Sequence, residues 1–346
     1  MFRCLRITII IGKRGFHMSR VVEFSEAGGP EVLRFKNVDV PEAGPGQVRI
    51  RVKAIGLNRA ESMWRENKYI EPVQFPARLG YEAVGTVDSV GKDVTTIAVG
   101  DEVNTIPSFS MNQYGMYGEV VLAPIHAVVK HPKGLSPVEA ASIWMMFITA
   151  YGALIEDAKI TSQDAVVIPG ASSSVGLAAI QIVNSVGAKS IALTRTSAKR
   201  KQLTSAGAKY VIATEEEDLL KEIDKITGGQ GARVVFDPVG GPTLSKLIKA
   251  MSFQGLLYLY GALSDQVTTV PVLDLIGKII TIKGHNIWLT SGDPARQKAA
   301  VDFVINGLEK GTLKPVIDKV FTFDKIVDAH RYLEASGQIG KIVVTI

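Results

Sequence analysis

Residues 166–187, VVIPGASSSVGLAAIQIVNSVG, have the types and spacing to hold a phosphate group. Residues 166–169 are a short apolar run, 170–174 are all small, and 175–186 carry apolar side chains at helical spacing until Gly187 stops them. Strand, tight turn and helix are the expected elements. A turn of Gly170, Ala171, Ser172, Ser173 and Ser174 lets a backbone come close to a pyrophosphate, and the free N–H groups from Val175 onward favour negative charge. Taken alone the turn leaves two readings open, because G-x-x-S-x-x-G is not the usual glycine triplet and small-residue turns also join strands to helices in proteins that bind nothing.

A second group lies where the next strand should end. In a dinucleotide fold an acid at that point accepts hydrogen bonds from the adenosine ribose. Residues 194–200 instead read TRTSAKR, with no acid among them. A carboxylate would repel a 2′-phosphate, whereas the Thr194 hydroxyl with Arg195 and Lys199 would hold one by charge-assisted hydrogen bonds. NADP(H) is therefore expected in preference to NAD(H). The competing reading is a solvated helix start decorated by Lys199 and Arg200, but cations there oppose the helix dipole.

These groups need a scaffold, and the pattern supplies one. From residue 21 to about 129 short extended segments alternate with Gly and Pro turns, and Val48, Ile50 and Val52 mark one buried face. From Ser136 to Ile287 strands and helices alternate. Strands are expected at 166–169, 190–194, 210–213, 233–237, 256–260 and 279–283, with helices at 175–186, 197–206, 218–227 and 242–251. Six strands with crossover helices make an α/β, doubly wound parallel sheet, and the turn at 170–174 then sits at the carboxyl end of its first strand. The tail adds helices at 295–309 and 323–336, an extended segment at 315–323 and a closing strand at 341–346, which return the chain to its first half.

Composition narrows the function. The 346 residues suggest two domains. The formal charge of +5 is concentrated in residues 1–17, where Arg3, Arg6, Lys13 and Arg14 meet no acid, so the body carries +1 and no basic groove for nucleic acid is expected. No uninterrupted apolar run approaches the roughly 18 residues that cross a bilayer, so no membrane partner is expected. Cys4 is the only cysteine, which rules out intrachain disulfides and any site of several thiolates. Residues 1–17 are basic and acid-free like a mitochondrial presequence, or are an artefact preceding a true start at Met18. The location expected is cytoplasmic, or mitochondrial if the leader is genuine.

Taken together, residues 54–62 (AIGLNRAES), 80–91 (GYEAVGTVDSVG), Gly100-Asp101, Thr149-Ala150-Tyr151, the turn at 170–176, 237–241 (DPVGG) and Gly340-Lys341 resemble the zinc-free, quinone-oxidoreductase branch of the medium-chain dehydrogenase/reductase superfamily. The resemblance runs from Met18 to the end of the chain. It implies a GroES-like β-rich catalytic domain (18–145 and 290–346) beside a Rossmann domain (146–289), with NADP(H) in the cleft between them. Zinc-dependent relatives carry cysteine where this chain has Asn58 and histidine where it has Tyr81, before a retained Glu82, so no metal is expected.

The resemblance also implies roles. Asn58 matches a residue on the nicotinamide side, and Thr149 matches one near the carboxamide. Val239 and the loop of Gly261, Ala262, Leu263 and Ser264 should line the nicotinamide pocket. Tyr69 stands at the spacing of one of two tyrosines that line the substrate cleft; the other position is Met63. A phenol with a pKa near ~10 stays protonated at neutral pH and can donate. The expected activity is NADPH-dependent hydride transfer to a quinone or an α,β-unsaturated carbonyl compound, by a homodimer joined through the last Rossmann strand. An enoyl-thioester reductase and an NADPH-binding protein with little turnover are the alternatives. His126, His131, His285 and His330 have no ligand spacing and are expected to be structural or exposed.

Overall fold

The computed structural model describes residues 17–346. The reading of residues 1–17 as leader or artefact lies outside the described residues, except that His17 already belongs to the first strand.

The first half is built of β1 (His17–Phe24), β2 (Arg34–Val40), β3 (Gln47–Gly56), β4 (Ala77–Arg78), β5 (Glu82–Val90), β6 (Glu102–Thr105), β7 (Val120–Pro124) and β8 (Val128–Lys130). The alternation at 48, 50 and 52 does what period two requires, and all three valine and isoleucine side chains are buried. The helix α1 (Arg59–Arg65), which strand patterning did not anticipate, interrupts this half. Its start has a local cause: Asn58 stands in extended conformation before it, and the N3 residue Glu61 reaches back to the Asn58 N–H at 2.8 Å.

After α2 (Pro137–Ala140) and α3 (Trp144–Tyr151), the latter widening into a π-helical segment at Gly152–Asp157, the chain enters the second sheet. The stretch Pro137–Asp157 has the length and mean hydropathy (1.5) of a bilayer-crossing helix, a feature not expected from the sequence, but 83% of its apolar window is buried inside the protein. It is a core helix of the protein.

The second sheet comprises β9 (Ala165–Ile168), β10 (Lys189–Thr194), β11 (Tyr210–Ala213), β12 (Ala232–Asp237), β13 (Met251–Leu259) and β14 (Thr281–Gly284), all parallel and ordered β11-β10-β9-β12-β13-β14. This is the doubly wound order, reversing beside β9, so the switch point lies at the carboxyl ends of β9 and β12. Both faces of β9 are covered: Val166 and Ile168 join one core cluster, Ala165 and Val167 the other. The crossovers are α4 (Ser174–Ser185), α5 (Arg200–Ser205), α6 (Leu219–Thr227), α7 (Thr243–Ala250) and α8 (Val272–Lys278).

Several boundaries differ from expectation. The helix expected from residue 197 begins as a 3-10 turn at Ser197–Lys199. The helix α8 is new, and the last strand starts at Thr281 rather than 279 because Ile279 caps α8 with φ +51°. The tail returns as α9 (Trp288–Ser291), α10 (Pro294–Glu309), β15 (Ile317–Thr322), α11 (Ile326–Glu334) and β16 (Lys341–Thr345). The strands β15 and β16 extend the first half into a seven-stranded sheet ordered β15-β16-β3-β5-β6-β8, with β7 on β3; β2-β1-β4 form a separate sheet.

Candidate active site

The turn at the end of β9 is built for a close approach. Gly170 has φ +59°, which a side chain would strain. A Cβ on Gly176 would come within 2.7 Å of the Ala171 Cα and the Gly170 carbonyl oxygen, so only glycine lets α4 pack there. Ser173 caps α4, its hydroxyl accepting from the Gly176 N–H at 3.0 Å. The turn is also tied to the far end of the chain: the Gly340 N–H donates to the Ser172 carbonyl at 2.9 Å, and Ser173 pairs with Gly340 in a parallel bridge.

Lys199 does not decorate a solvated face. Its Nζ donates to the Ser172 hydroxyl at 3.1 Å and to the carbonyls of Gln338 (3.2 Å) and Ser336 (3.4 Å), which brings a cation to the edge of the turn. Burial, and then the nearby Arg195 guanidinium, hold its pKa below the ordinary lysine value. Among the described residues Arg195 has no side-chain partner. Two cations are thus kept close together, with the Asp318 carboxylate acting on Lys199 as the opposing charge. The absence of acid at 194–200 does not survive folding entirely, because the segment after β11 brings Glu216 to the Ser197 N–H at 3.0 Å. Thr194 closes β10, its carbonyl accepting from Thr214.

The two loops expected to line the nicotinamide pocket hold each other. Leu263 N–H donates to the Pro238 carbonyl at 3.1 Å and Ser264 N–H to the Val239 carbonyl at 3.0 Å, while a Cβ on Gly261 would lie 2.7 Å from the Pro238 oxygen. Ala262 and Leu263 are exposed at the loop tip. The buried Asp237 fixes the first loop by accepting from the Val239 (2.8 Å) and Gly240 (3.1 Å) N–H groups, and burial pushes its carboxyl up to about 6. Thr149 lies on α3, where the Nε2–H of the buried His285 donates to its carbonyl at 2.9 Å. The Tyr260 ring stacks on Phe236 at 4.0 Å, and its buried hydroxyl has no hydrogen-bond partner.

Across the cleft, Asn58 is an anchor. Its Oδ1 accepts from Lys341 Nζ at 2.6 Å, and its Nδ2 donates to Glu82 (3.1 Å), Glu61 (3.2 Å) and the Gly56 carbonyl (3.2 Å). Lys341 also ion-pairs with Glu82, each about 1% exposed, and Glu82 accepts from the Met145 N–H at 2.9 Å. Glu61 is fully buried and burial pushes its carboxyl up; it accepts from the Tyr81 N–H (3.0 Å) and the Tyr117 hydroxyl (2.7 Å). Behind Tyr117, His330 Nε2 lies 3.1 Å away, Arg65 Nη1 donates to His330 Nδ1 at 2.9 Å, and Arg65 Nη2 meets Glu334 at 2.7 Å. The Arg65 contact fixes the tautomer, so His330 Nε2–H donates to the Tyr117 oxygen. Burial, with Arg65 second, lowers the His330 pKa to about 3, so the ring is neutral.

Tyr69 follows α1, half-buried, with its phenol pushed up by burial and then by Glu61. Thus Tyr69 and Asn58 flank α1, while the turn, Lys199 and Arg195 gather on the Rossmann side. Glu61, Arg65 and Tyr117 were missed from the sequence, and His330, expected to be structural or exposed, is structural and buried. One signal existed: Asn58-x-x-Glu61 is a capping-box spacing that announces both α1 and an inward carboxylate.

Residues 44–133 match the alcohol dehydrogenase GroES-like domain family, and 174–306 match the zinc-binding dehydrogenase family. Human quinone oxidoreductase is 31% identical over 332 residues, spanning 95% of this chain and 98% of the relative. The chain belongs to the quinone oxidoreductase branch of the medium-chain dehydrogenase/reductase superfamily. Its fold superposes on Escherichia coli quinone oxidoreductase complexed with NADPH with a TM-score of 0.86 at 27% identity, covering 94% of this chain and 100% of the other. An NAD-dependent alcohol dehydrogenase superposes at 0.85 with 30% identity, covering 94% and 99%. Among the described residues no three His, Cys, Asp or Glu side chains group as a metal site would need.

Proposed function

We propose that this chain is an NADPH-dependent, metal-free reductase of quinones and α,β-unsaturated carbonyl compounds. The observation that carries the reading is Lys199 drawn onto the Ser172 hydroxyl beside the Ser173-capped start of α4, with Arg195 unpartnered alongside. Phosphate suits that place, because helix N–H groups and two cations converge there. The similarity to an NADPH-complexed quinone oxidoreductase supports the same cofactor.

The residues present fit the dinucleotide. Gly170 and Gly176 leave room for its pyrophosphate, Arg195, Lys199 and Thr194 would take the 2′-phosphate, and Val239, Gly261, Ala262, Leu263 and Thr149 would enclose the nicotinamide. When bound, the cofactor supplies a hydride. On the opposite wall Asn58 shapes the floor through Lys341 and Glu82, and Tyr69, half-exposed and protonated, holds a proton for the acceptor's oxygen and regains it from water.

The division into a catalytic part (18–145 and 290–346) and a cofactor part (146–289) belongs to this reading, as does a homodimer. The edge strand β14 leaves one side of the parallel sheet bare, and beside it Val272, Leu273 and Ile276 of α8 are 59%, 85% and 67% exposed. A bare edge next to an apolar helix face suits a second copy of the chain. A cytoplasmic location completes the reading, unless residues 1–17 act as a presequence.

The test is NADPH absorbance followed with 9,10-phenanthrenequinone, a simple enone and crotonyl-CoA. Oxidation with the first two supports the reading. Preference for the thioester makes the chain an enoyl-thioester reductase, and tight NADPH binding without oxidation makes it a binding protein.

A further inference from the structure

Tyr81 ends the loop before β5, after Gly80 (φ +112°), and its backbone is fixed on both sides. Its N–H donates to Glu61 at 3.0 Å, and its carbonyl accepts from the Thr105 hydroxyl at 2.8 Å. Its ring packs on Phe109 at 5.9 Å, and only 2% of the residue is exposed. The hydroxyl has no hydrogen-bond partner, yet it is not among the sealed polar atoms. The exposed remnant of Tyr81 is therefore at its oxygen.

Three more groups gather around that oxygen. Tyr69, Glu61 and Glu71 all act electrostatically on the Tyr81 phenol, whose pKa burial raises first. The Tyr69 hydroxyl likewise has no partner. Glu71 uses one carboxylate oxygen on Ser110 and Asn112, while the other, Oε2, is buried without a donor. Two phenol donors lacking acceptors, one of them on a fixed backbone, beside an acceptor lacking a donor, form a cluster that the protein alone does not satisfy. A carbonyl ligand becoming a hydroxyl satisfies both.

We propose that Tyr81 is a second catalytic phenol, a fixed hydrogen-bond donor to the acceptor oxygen that becomes negative as hydride arrives. The proposal rests on the reductase reading. Bound NADPH would supply the hydride, a hydrogen with its electron pair from the nicotinamide C–H bond, to the acceptor. The acceptor oxygen then takes a proton from Tyr69, which water replaces. A quinone so reduced is a hydroquinone, an enone becomes an enol that tautomerises in water to the saturated carbonyl, and NADPH becomes NADP+. Tyr81 keeps its own proton throughout, because its pKa lies above the phenol range and it is shielded from solvent. The division of labour follows from burial: the more deeply buried phenol stabilises charge, and the half-exposed one transfers the proton.

Tyr81→Phe removes one oxygen atom and keeps the ring. Loss of a preorganised donor to an oxyanion costs roughly 100- to 1000-fold in kcat, so turnover of a simple enone should fall by that factor. The stronger hydride acceptor 9,10-phenanthrenequinone should lose less. The dissociation constant for NADPH, from fluorescence titration, should stay unchanged, and the pH profile should keep its shape, since Tyr81 does not titrate in the working range. Turnover of both acceptors by Tyr81→Phe within threefold of wild type overturns the proposal. If Tyr81→Phe binds NADPH abnormally, Tyr81→His, which retains a donor, decides: recovery of turnover above the Phe variant supports the proposal, and none overturns it. A wild-type protein that oxidises NADPH with neither acceptor refutes the reductase reading itself, a result distinct from an active wild type matched by Tyr81→Phe.

Discussion

Lys341 and Glu82, 259 residues apart, form an ion pair that is 1% exposed on both sides, and the residue before Lys341 is the one whose N–H holds the turn at 170–174. One dipeptide, Gly340-Lys341, thus ties that turn to Asn58. Removing Lys341 would leave the Glu82 carboxylate buried without its cation. Breaking a buried pair from one side costs about 3–5 kcal/mol. Lys341→Met should lower stability by that amount in urea unfolding, and the double variant with Glu82→Gln should recover more than half of it. Equal stability of the single and double variants would count against the pair.

The two cations at the turn should set coenzyme choice. A hydrogen bond to a charged group contributes about 1.5–3 kcal/mol, part of which solvent screening removes at exposed Arg195. Arg195→Ala with Lys199→Ala should weaken NADPH binding roughly 10- to 100-fold while leaving NADH nearly unaffected. Titration of both coenzymes against both proteins measures this directly. An unchanged ratio would remove the 2′-phosphate from this position, and Glu216, which reaches Ser197 close by, would then be the residue to examine as a ribose ligand.

Much of the frame was legible because it is local. The change from small residues to helical apolar spacing at 170–186 needs one window of sequence, and β9, the turn and α4 lie where that window puts them. Arg195 and Lys199 could likewise be read from a strand end. The contacts of Lys199 with Ser336 and Gln338 could not, since they depend on a chain return more than 130 residues later. The same holds for Glu61, Tyr117 and His330, joined across up to 213 positions. The helix α8 escaped for another reason: its apolar residues are largely exposed, so the usual link between periodicity and burial fails there.

That exposed helix leads to a test of assembly. Leu273→Lys with Ile276→Lys places two charges on the face beside β14 without touching the core. A dimer seated on that face should become a monomer by sedimentation at micromolar concentration, with its unfolding curve otherwise preserved. A dimer that survives both charges must use another surface.

Two buried groups should pull stability in opposite directions with pH. Asp237, at about 6 when folded and ~3.9 when unfolded, binds its proton more readily in the native state, so between those values stability rises as pH falls. His330, at about 3 when folded and ~6.5 when unfolded, resists its proton in the native state, so stability falls as pH drops below ~6.5. Each contributes about 1.4 kcal/mol per pH unit in its window. From pH 6 to 4 they oppose each other. Asp237→Asn should therefore lose stability with acid more steeply than wild type, by up to ~3 kcal/mol over that range. Parallel urea midpoints for the two proteins from pH 7 to 4 would dismiss the raised Asp237 carboxyl.

The last prediction concerns the proton. General acid catalysis contributes roughly 100- to 10,000-fold, so Tyr69→Phe should lower enone reduction by a factor in that range while leaving NADPH binding intact. Burial, and then the Glu61 charge, raise the Tyr69 pKa, so wild-type turnover should stay flat through neutral pH and fall only once the phenol ionises in strong alkali. Glu61→Gln keeps the shape of the side chain and removes its charge. The Tyr69 phenol then ionises more readily, and the alkaline limb of the kcat profile should move to lower pH. The direction discriminates: a limb that stays in place in Glu61→Gln, or that persists in Tyr69→Phe, assigns the titration to another group and removes Tyr69 as the proton donor.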